Sequence, residues 1–175
     1  MSNSSESTAT DVRTVQDVEA IRRLLSRQAH LRDVGPLDEW IQGYTEDGVY
    51  SAHGTVANGR AEILAIAEDL RARLWSDWRG SHFLSEPGID VDSEAGTATG
   101  ITHYTYLGPD QDGGYKVYVV GRYHDRFVRT EDGRWLLAAR EILTAGNEFS
   151  AKPAGDAKPV GDEARTPAGD EPAEA

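Results

Sequence analysis

The chain has 175 residues, 30 of them acidic and 18 basic, for a formal charge of −12, and it contains no cysteine. That length fits one domain with tails, and a surface this acidic, with no local Lys/Arg cluster, argues against nucleic acid and membrane as partners. The absence of Cys removes disulfides, thiolate metal sites and cysteine nucleophiles, and suits a reducing cytoplasm.

Residues 1–13, MSNSSESTATDVR, are polar, lack the basic start and apolar core of a signal peptide, and read as a disordered segment. No stretch approaches the roughly 18 apolar residues of a membrane span, so a cytoplasmic protein is expected. Residues 14–149 are long enough for one core. Within them, Val18, Ile21, Leu24, Leu25, Gln28 and Ala29 recur at helical spacing, with Thr14 and Asp17 resembling an N-cap and an acidic first turn. This helix is expected to end near Asp33, because Gly35-Pro36 follows. Leu37, Trp40, Ile41 and Tyr44 mark a short second helix closed by a turn at Thr45-Glu46-Asp47-Gly48, and Val49 to Ala52 a short strand. Asn58-Gly59-Arg60 opens a third helix with Ile63, Leu64, Ala67, Leu70, Leu74 and Trp75 on its buried side.

After the third helix the apolar period changes from 3.6 to 2. Four strands are expected, at Ser81 to Val91, Thr97 to Leu107, Tyr115 to Thr130 and Trp135 to Thr144, separated by turns such as Asp110-Gln111-Asp112-Gly113-Gly114 and Glu131-Asp132-Gly133-Arg134. Helices grouped before an antiparallel meander indicate an α+β fold, and a strand near 15 residues long requires strong curvature or a bulge. The expected architecture is a cone: a curved antiparallel sheet wrapped on three N-terminal helices around a cavity. From Ser150 to Ala175 the composition shifts to Ala, Pro, Gly, Asp, Glu and Lys, with four of the seven prolines and near-repeats AKPAGD, AKPVGD and TPAGD. Such a segment buries too little apolar surface to offset its ordering entropy, so a disordered acidic tail is expected.

The sequence has no G-x-G-x-x-G, Walker loop, G-x-S-x-G or H-E-x-x-H, and its five histidines show no i, i+4 ligand pair, so neither metal nor cofactor is expected. What remains is a set of polar residues at positions that read as inward-facing: Asp33 at the end of helix one, His82 at the start of the first long strand, Arg140 on the last strand, and Tyr50 and His103. A carboxylate accepting the Nδ1–H of a histidine fixes its tautomer and makes Nε2 a better base near neutral pH, and an arginine can stabilise a developing oxyanion. Each residue also has a plain structural role open to it. Asp33 fits a helix end, His82 a hydrogen-bonded strand entrance and Arg140 an ordinary ion pair, and Trp40, Tyr44 and Trp135 read first as core.

The opening AIRRLL, the segment LRDVGPLDEWIQGYTEDGVY, the G-R-A-E-I helix start, the SHFLSEPGIDVD strand and the closing GRYHDRFVRTEDGRWLLAAREI together resemble the SnoaL-like branch of the nuclear transport factor 2-like superfamily over Asp17 to Leu143. Within it the chain is similar to the group of scytalone dehydratase, bile-acid dehydratase and hexachlorocyclohexane dehydrochlorinase. The resemblance implies a catalytic set of Asp33 and His82 as base dyad with Arg140, and substrate contacts from Gln28, Tyr50, His103 and Trp40. Gln28 stands where relatives often carry Lys or Tyr, and the tail departs from relatives whose C-terminal segment closes the cavity.

The leading expectation is therefore a cofactor-independent lyase or isomerase, dehydratase-like, acting on a small hydrophobic or polycyclic substrate. A polyketide-type cyclase uses the same base and cavity. Two non-enzymatic alternatives are a small-ligand-binding protein and the small subunit of a ring-hydroxylating oxygenase, and the resemblance further implies a homodimer or homotrimer.

Overall fold

The structure, a computed structural model, describes residues 3–74, 80–110 and 112–145, with side-chain detail in the first segment for 12–72. The expected tail at 150–175 and the expected buried Trp75 lie outside these residues. The elements in order are α1 (Asn3–Val34), α2 (Leu37–Trp40), one 3₁₀ turn (Ile41–Gly43), β1 (Tyr44–Ala52), β2 (Thr55–Asn58), α3 (Gly59–Leu74), β3 (Ser81–Leu84), β4 (Gly88–Asp92), β5 (Thr97–Pro109), β6 (Tyr115–Arg129) and β7 (Trp135–Thr144). The strands form one seven-stranded sheet in the order β2-β1-β7-β6-β5-β3, with β4 also paired to β5.

Several boundaries differ from the sequence expectation for identifiable reasons. α1 begins at Asn3 rather than near Thr14, so residues 3–13, expected to be disordered, are helical; they contain no Gly or Pro to stop a helix extending upstream. The second helix ends at Trp40, and Tyr44 already opens β1. Thr45–Gly48, expected to be a turn, lies inside β1 as an irregularity, because the register with β7 steps from Tyr44↔Leu137 to Val49↔Ala139. β2 escaped the sequence reading altogether. It returns from β1 through His53 and Gly54, whose φ angles of 51° and 81° fit the two-residue turn that matches strand twist. The strand expected over Ser81–Val91 is split into β3 and β4 by Ser85-Glu86-Pro87, and both halves pair antiparallel with β5.

The expected α+β architecture, three helices followed by a curved sheet, holds. Within it one pair departs from the antiparallel expectation: β1 runs parallel to β7, so the sheet is mixed and mostly antiparallel. The long β6 spans 15 residues and bends at two register shifts, one against β5 between Tyr106 and Leu107 and one against β7 between Arg126 and Phe127. These bulges supply the curvature that its length demands.

α1 and α3 cover the concave side of this sheet. The buried stripe of α1 runs through Asp17, Ile21, Leu25, Gln28 and Leu31, a helical repeat that carries two polar residues inward with the apolar ones. Ile21, Ile63 and Leu137 are essentially inaccessible, and each buried aliphatic chain of this size contributes about 1.5–3 kcal/mol. α3 is capped at its start by Glu62, which accepts the Asn58 backbone N–H at 2.8 Å.

Asp17 fastens α1 to the far end of the sheet. Its Oδ1 accepts the Trp135 indole N–H and its Oδ2 accepts Arg129 Nη1, both at 2.9 Å, while Arg129 also donates to the Ser93 carbonyl at 2.7 Å. Burial works to raise the Asp17 pKa, but hydrogen bonds from Trp135, Ser93 and Arg129, together with the Arg129 charge, hold it below the ordinary value of 3.8. A carboxylate with a depressed folded-state pKa stabilises the fold above its unfolded pKa, and that stability is lost as pH falls through the folded value. Asp17→Asn is therefore expected to lower stability by about 1–3 kcal/mol at neutral pH. In urea titrations the gap from wild type is expected to narrow below pH 4.

Candidate active site

Sheet register assembles the site row by row. On the inner face, Arg140 of β7 stands opposite Tyr50 of β1 on one side and Asp125 of β6 on the other. The next row places Ile142 between Ala52 and Tyr123. On the far side of the cone, Tyr104 of β5 lies between Gly121 and Leu84, and Tyr106 between Val119 and His82. These rows, closed over by α1, the Trp40 region and α3, line a cavity of about 430 Å³.

Asp33 and His82 meet at one end of it. The His82 ring nitrogen Nδ1 lies 2.5 Å from Asp33 Oδ1, and the His82 backbone N–H donates to Asp33 Oδ2 at 2.8 Å. With Asp33 as the accepting carboxylate, the contact selects the tautomer that carries its hydrogen on Nδ1, which places the ring's lone pair on Nε2. Both side chains are largely buried, at 13% and 9% exposure for His82 and Asp33. A carboxylate in the last turn of α1 runs against the preference of helix C-termini for positive charge. Arg71 compensates by donating to the carbonyls of Leu31, Arg32 and Gly35 at 3.2, 2.8 and 2.9 Å.

An aromatic path joins the dyad to the buried arginine. The His82 ring is 4.6 Å from Tyr106 and 6.0 Å from Tyr104 between centroids, Tyr104 stacks on Tyr123 at 4.3 Å, and the Arg140 guanidinium lies 4.1 Å from the Tyr123 centroid. Gly121 makes room for the stack, since a Cβ there would fall 2.7 Å from a Tyr104 ring carbon. Arg140 donates through Nε and Nη2 to the two oxygens of Asp125 at 2.8 and 2.7 Å, which leaves Nη1 as the guanidinium nitrogen that Asp125 does not engage. Burial pulls the Arg140 pKa down, yet the Asp125 charge and hydrogen bonds outweigh it and raise the value. Arg140 therefore stays cationic.

The tyrosines stay neutral for the opposite reason. Burial raises Tyr44, Tyr50 and Tyr123, and it lifts Tyr104 and Tyr106 to about 12, with the Asp33 charge adding to the rise at Tyr106. Each can donate a hydrogen bond at physiological pH. Among the described residues, the Tyr44 hydroxyl and Gln28 Oε1 are among the buried polar atoms without a hydrogen-bond partner; Gln28 Nε2 donates to the Trp40 carbonyl at 2.8 Å.

Of the seven residues singled out in the sequence, the cavity and the dyad bring six together: Asp33, His82, Arg140, Gln28, Tyr50 and Trp40. His103 is a correction. It is exposed on the outer face of β5, because the inward positions of that strand are Ala98, Thr102, Tyr104 and Tyr106, and strand parity sends residue 103 the other way. The sequence reading also missed Asp125, Arg32 and the wall tyrosines Tyr104, Tyr106 and Tyr123. Alternation in Thr-His-Tyr-Thr-Tyr was the available signal for Tyr104 and Tyr106. Asp125 had none, since its role depends on the register that sets it across from Arg140. Among the described residues, no group of three or more His, Asp or Glu is placed to hold a metal ion, and no helix is long and apolar enough to cross a membrane.

Comparison with known proteins is consistent with this geometry. The profile described as "SnoaL-like domain" matches residues 13–141. A comparison with curated proteins gives no match. Among solved structures, an NTF2-like protein with a cystatin-like fold from Novosphingobium aromaticivorans is 28% identical, with a TM-score of 0.72 over 83% of this chain and 92% of the other. A protein of unknown function from Mycobacterium tuberculosis is 27% identical, with a TM-score of 0.67 over 77% of this chain and 75% of the other. A candidate scytalone dehydratase from Novosphingobium aromaticivorans shares the fold at 22% identity and a TM-score of 0.66, over 77% of this chain and 87% of the other.

The buried pair yields a stability test. Asp125→Ala strands the Arg140 charge in a dry site, and a loss of about 3–5 kcal/mol is expected in chemical denaturation. The double variant Asp125→Ala/Arg140→Met is expected to recover a large part of that loss.

Proposed function

From the premise that the chain belongs to the SnoaL-like domain family, we propose that it is a cofactor-independent lyase or isomerase whose Asp33–His82 dyad removes an activated C–H proton from a small hydrophobic or polycyclic substrate. One observation carries this reading. The dyad is complete, with both Asp33 oxygens bound to His82, and its imidazole lines a cavity that also holds a buried cation and neutral phenols. In the proposed reaction Nε2 takes the proton, the developing imidazolium is stabilised by Asp33, and negative charge on a substrate oxygen is met by Arg140 Nη1 and the Tyr50 hydroxyl. A positioned base contributes about 10²–10⁴-fold and preorganised donors a comparable factor. Asp125 is a positioning residue, since it fixes the guanidinium from behind.

The elimination and isomerisation variants share these steps and part at the second bond. In elimination the carbanion or enolate expels a leaving group such as hydroxide, which leaves as water after accepting the proton from His82. In isomerisation or intramolecular ring closure the proton returns to the same molecule and its formula is unchanged.

The test lets the enzyme select its substrate from a mixture. Wild type and His82→Ala are incubated with source-cell metabolites in deuterated water and compared by mass. A product lighter by water or acid, formed by wild type alone, is the expected result for a lyase, and deuterium uptake at constant formula is expected for an isomerase or cyclase. Asp33→Asn is expected to lower the same turnover by about 10²–10⁴-fold. Identical profiles for wild type and His82→Ala would remove the catalytic reading.

The reading includes a homodimer or homotrimer formed through the outer sheet face. Phe83, Ile101 and Val120 support it, being 58%, 49% and 50% exposed there, with Phe83 and Val120 both neighbouring Thr105 in register. Val120→Asp is expected to shift the mass measured by light scattering toward one chain, and a single-chain wild type would sink the idea.

A further inference from the structure

Two of the cavity's phenols take no part in the proton transfer described so far. Tyr104 and Tyr123 rise from neighbouring strands onto the inner face and stack with centroids 4.3 Å apart and planes 11° from parallel. Both are more than nine-tenths buried, at 5% and 6% exposure. Tyr104 lies across Gly121, its Cε1 and Cζ 2.7 and 3.0 Å from where a Cβ would stand there. Its hydroxyl end is thereby carried over β6 toward β7, the strand of Arg140. The Arg140 guanidinium sits 4.1 Å from the Tyr123 centroid. The polar ends lie close enough to act on one another electrostatically: Tyr50 and Arg140 act on Tyr104, and Arg140, Tyr104 and Tyr50 act on Tyr123.

The hydroxyls of Tyr50, Tyr104 and Tyr123 have no hydrogen-bond partner among the described residues, although all three side chains line the cavity. A buried hydroxyl left in that state costs free energy until something accepts its proton. Burial keeps each phenol protonated, with the Tyr104 pKa pushed up to about 12. The carboxylates that could accept are engaged elsewhere, Asp125 by Arg140 and Asp33 by His82. The Arg140–Asp125 pair is neutral as a unit, so the phenols decide how well this end of the cavity holds negative charge. A cavity of about 430 Å³ with stacked rings in its wall suits a flat ligand of two or three fused rings.

We propose that the cavity binds a planar conjugated ligand as its oxyanion, an enolate or phenolate, whose oxygen accepts hydrogen bonds from the Tyr104 and Tyr123 hydroxyls beside Arg140. This deepens the reading of the cavity as a site of C–H proton removal and rests on it. The proton leaves carbon for His82, and the electron pair of the broken C–H bond settles on an oxygen that preorganised donors already surround. Tyr104 and Tyr123 are then catalytic residues, and the substrate is a ketone whose enolate is conjugated with its ring system.

The test uses 2-naphthol, a two-ring phenol with no activated C–H bond, added to an excess of the full chain at neutral pH. Its ionised form absorbs at wavelengths beyond those of tryptophan and tyrosine, so the ionised fraction of the bound probe is read directly; the phenolic proton passes to the buffer. Wild type is expected to raise the ionised-to-neutral ratio at least about tenfold over that in free solution at the same pH. Tyr104→Phe and Tyr123→Phe are each expected to cut that gain by about tenfold, the effect of one hydrogen bond to a charged oxygen. Because both substitutions remove an oxygen that no described residue binds, the ligand-free variants are expected to melt at or close to the wild-type temperature, which a structural role for the hydroxyls would not allow. A bound probe no more ionised than the free one, no binding at all, undiminished ionisation in both variants, or a large drop in the melting temperature of both would each overturn the proposal. If one variant does not fold, the wild-type ratio and the other variant decide. A neutral bound probe with turnover lost in His82→Ala leaves the base reading without this oxygen site; ionisation that the Phe variants lose, with metabolite profiles unchanged in His82→Ala, leaves the oxygen site without the base.

Discussion

The buried pair of Arg140 and Asp125 is the constraint on which the polarity of the cone depends. A guanidinium and a carboxylate with almost no solvent access are tolerated only when their hydrogen bonds are nearly ideal, and here the two residues face each other directly across β6 and β7. A one-residue slip of either strand would turn its own charge to the outer face and leave the other buried without its partner. The pair therefore pins the strands, and the strands in turn place Tyr50, Tyr123 and Ile142 around it.

The same logic explains why the cavity is a row-built object rather than a loop-built one. Its chemistry comes from positions that alternate along five strands, so each side chain inherits its direction from the pleat and its depth from the bulges in β6 and β7. The helices contribute at their ends. α1 delivers Gln28, Arg32 and Asp33 within its last two turns, and the C-terminal carbonyls it leaves open are taken by Arg71. A carboxylate that local helix electrostatics disfavour is thus held where it can orient an imidazole. That conflict between local preference and global placement is the usual mark of a functional position.

The candidate dyad spans 49 residues of sequence and bridges the end of α1 and the start of β3. Asp33 binds both the ring and the backbone of His82, so the contact that orients the imidazole also docks a sheet edge on the helix. Orientation and packing are coupled there. At the opposite end of the molecule, Asp17 does the equivalent work on Trp135 and Arg129.

Much of this was legible in the chain itself. Period 3.6 located the helices, period 2 located the long strands, Gly35-Pro36 set the end of α1, and polar residues at inward-reading positions marked Asp33, His82, Arg140, Tyr50 and, wrongly, His103, while Gln28 and Trp40 entered only through the family resemblance. Those signals are local and depend on side chains a few positions apart. Three things were not local. The parallel pairing of β1 with β7 brings Tyr50 beside Arg140, although their sequence separation carries no trace of it. The partner of Arg140 is Asp125 because of a register that the bulges adjust. His103 faces outward and Tyr104 inward because strand parity is settled by which face the curved sheet buries. Sequence periodicity determines that a strand has two faces; only the packed sheet decides which one encloses the cavity, since that choice is made by the summed burial of every strand at once.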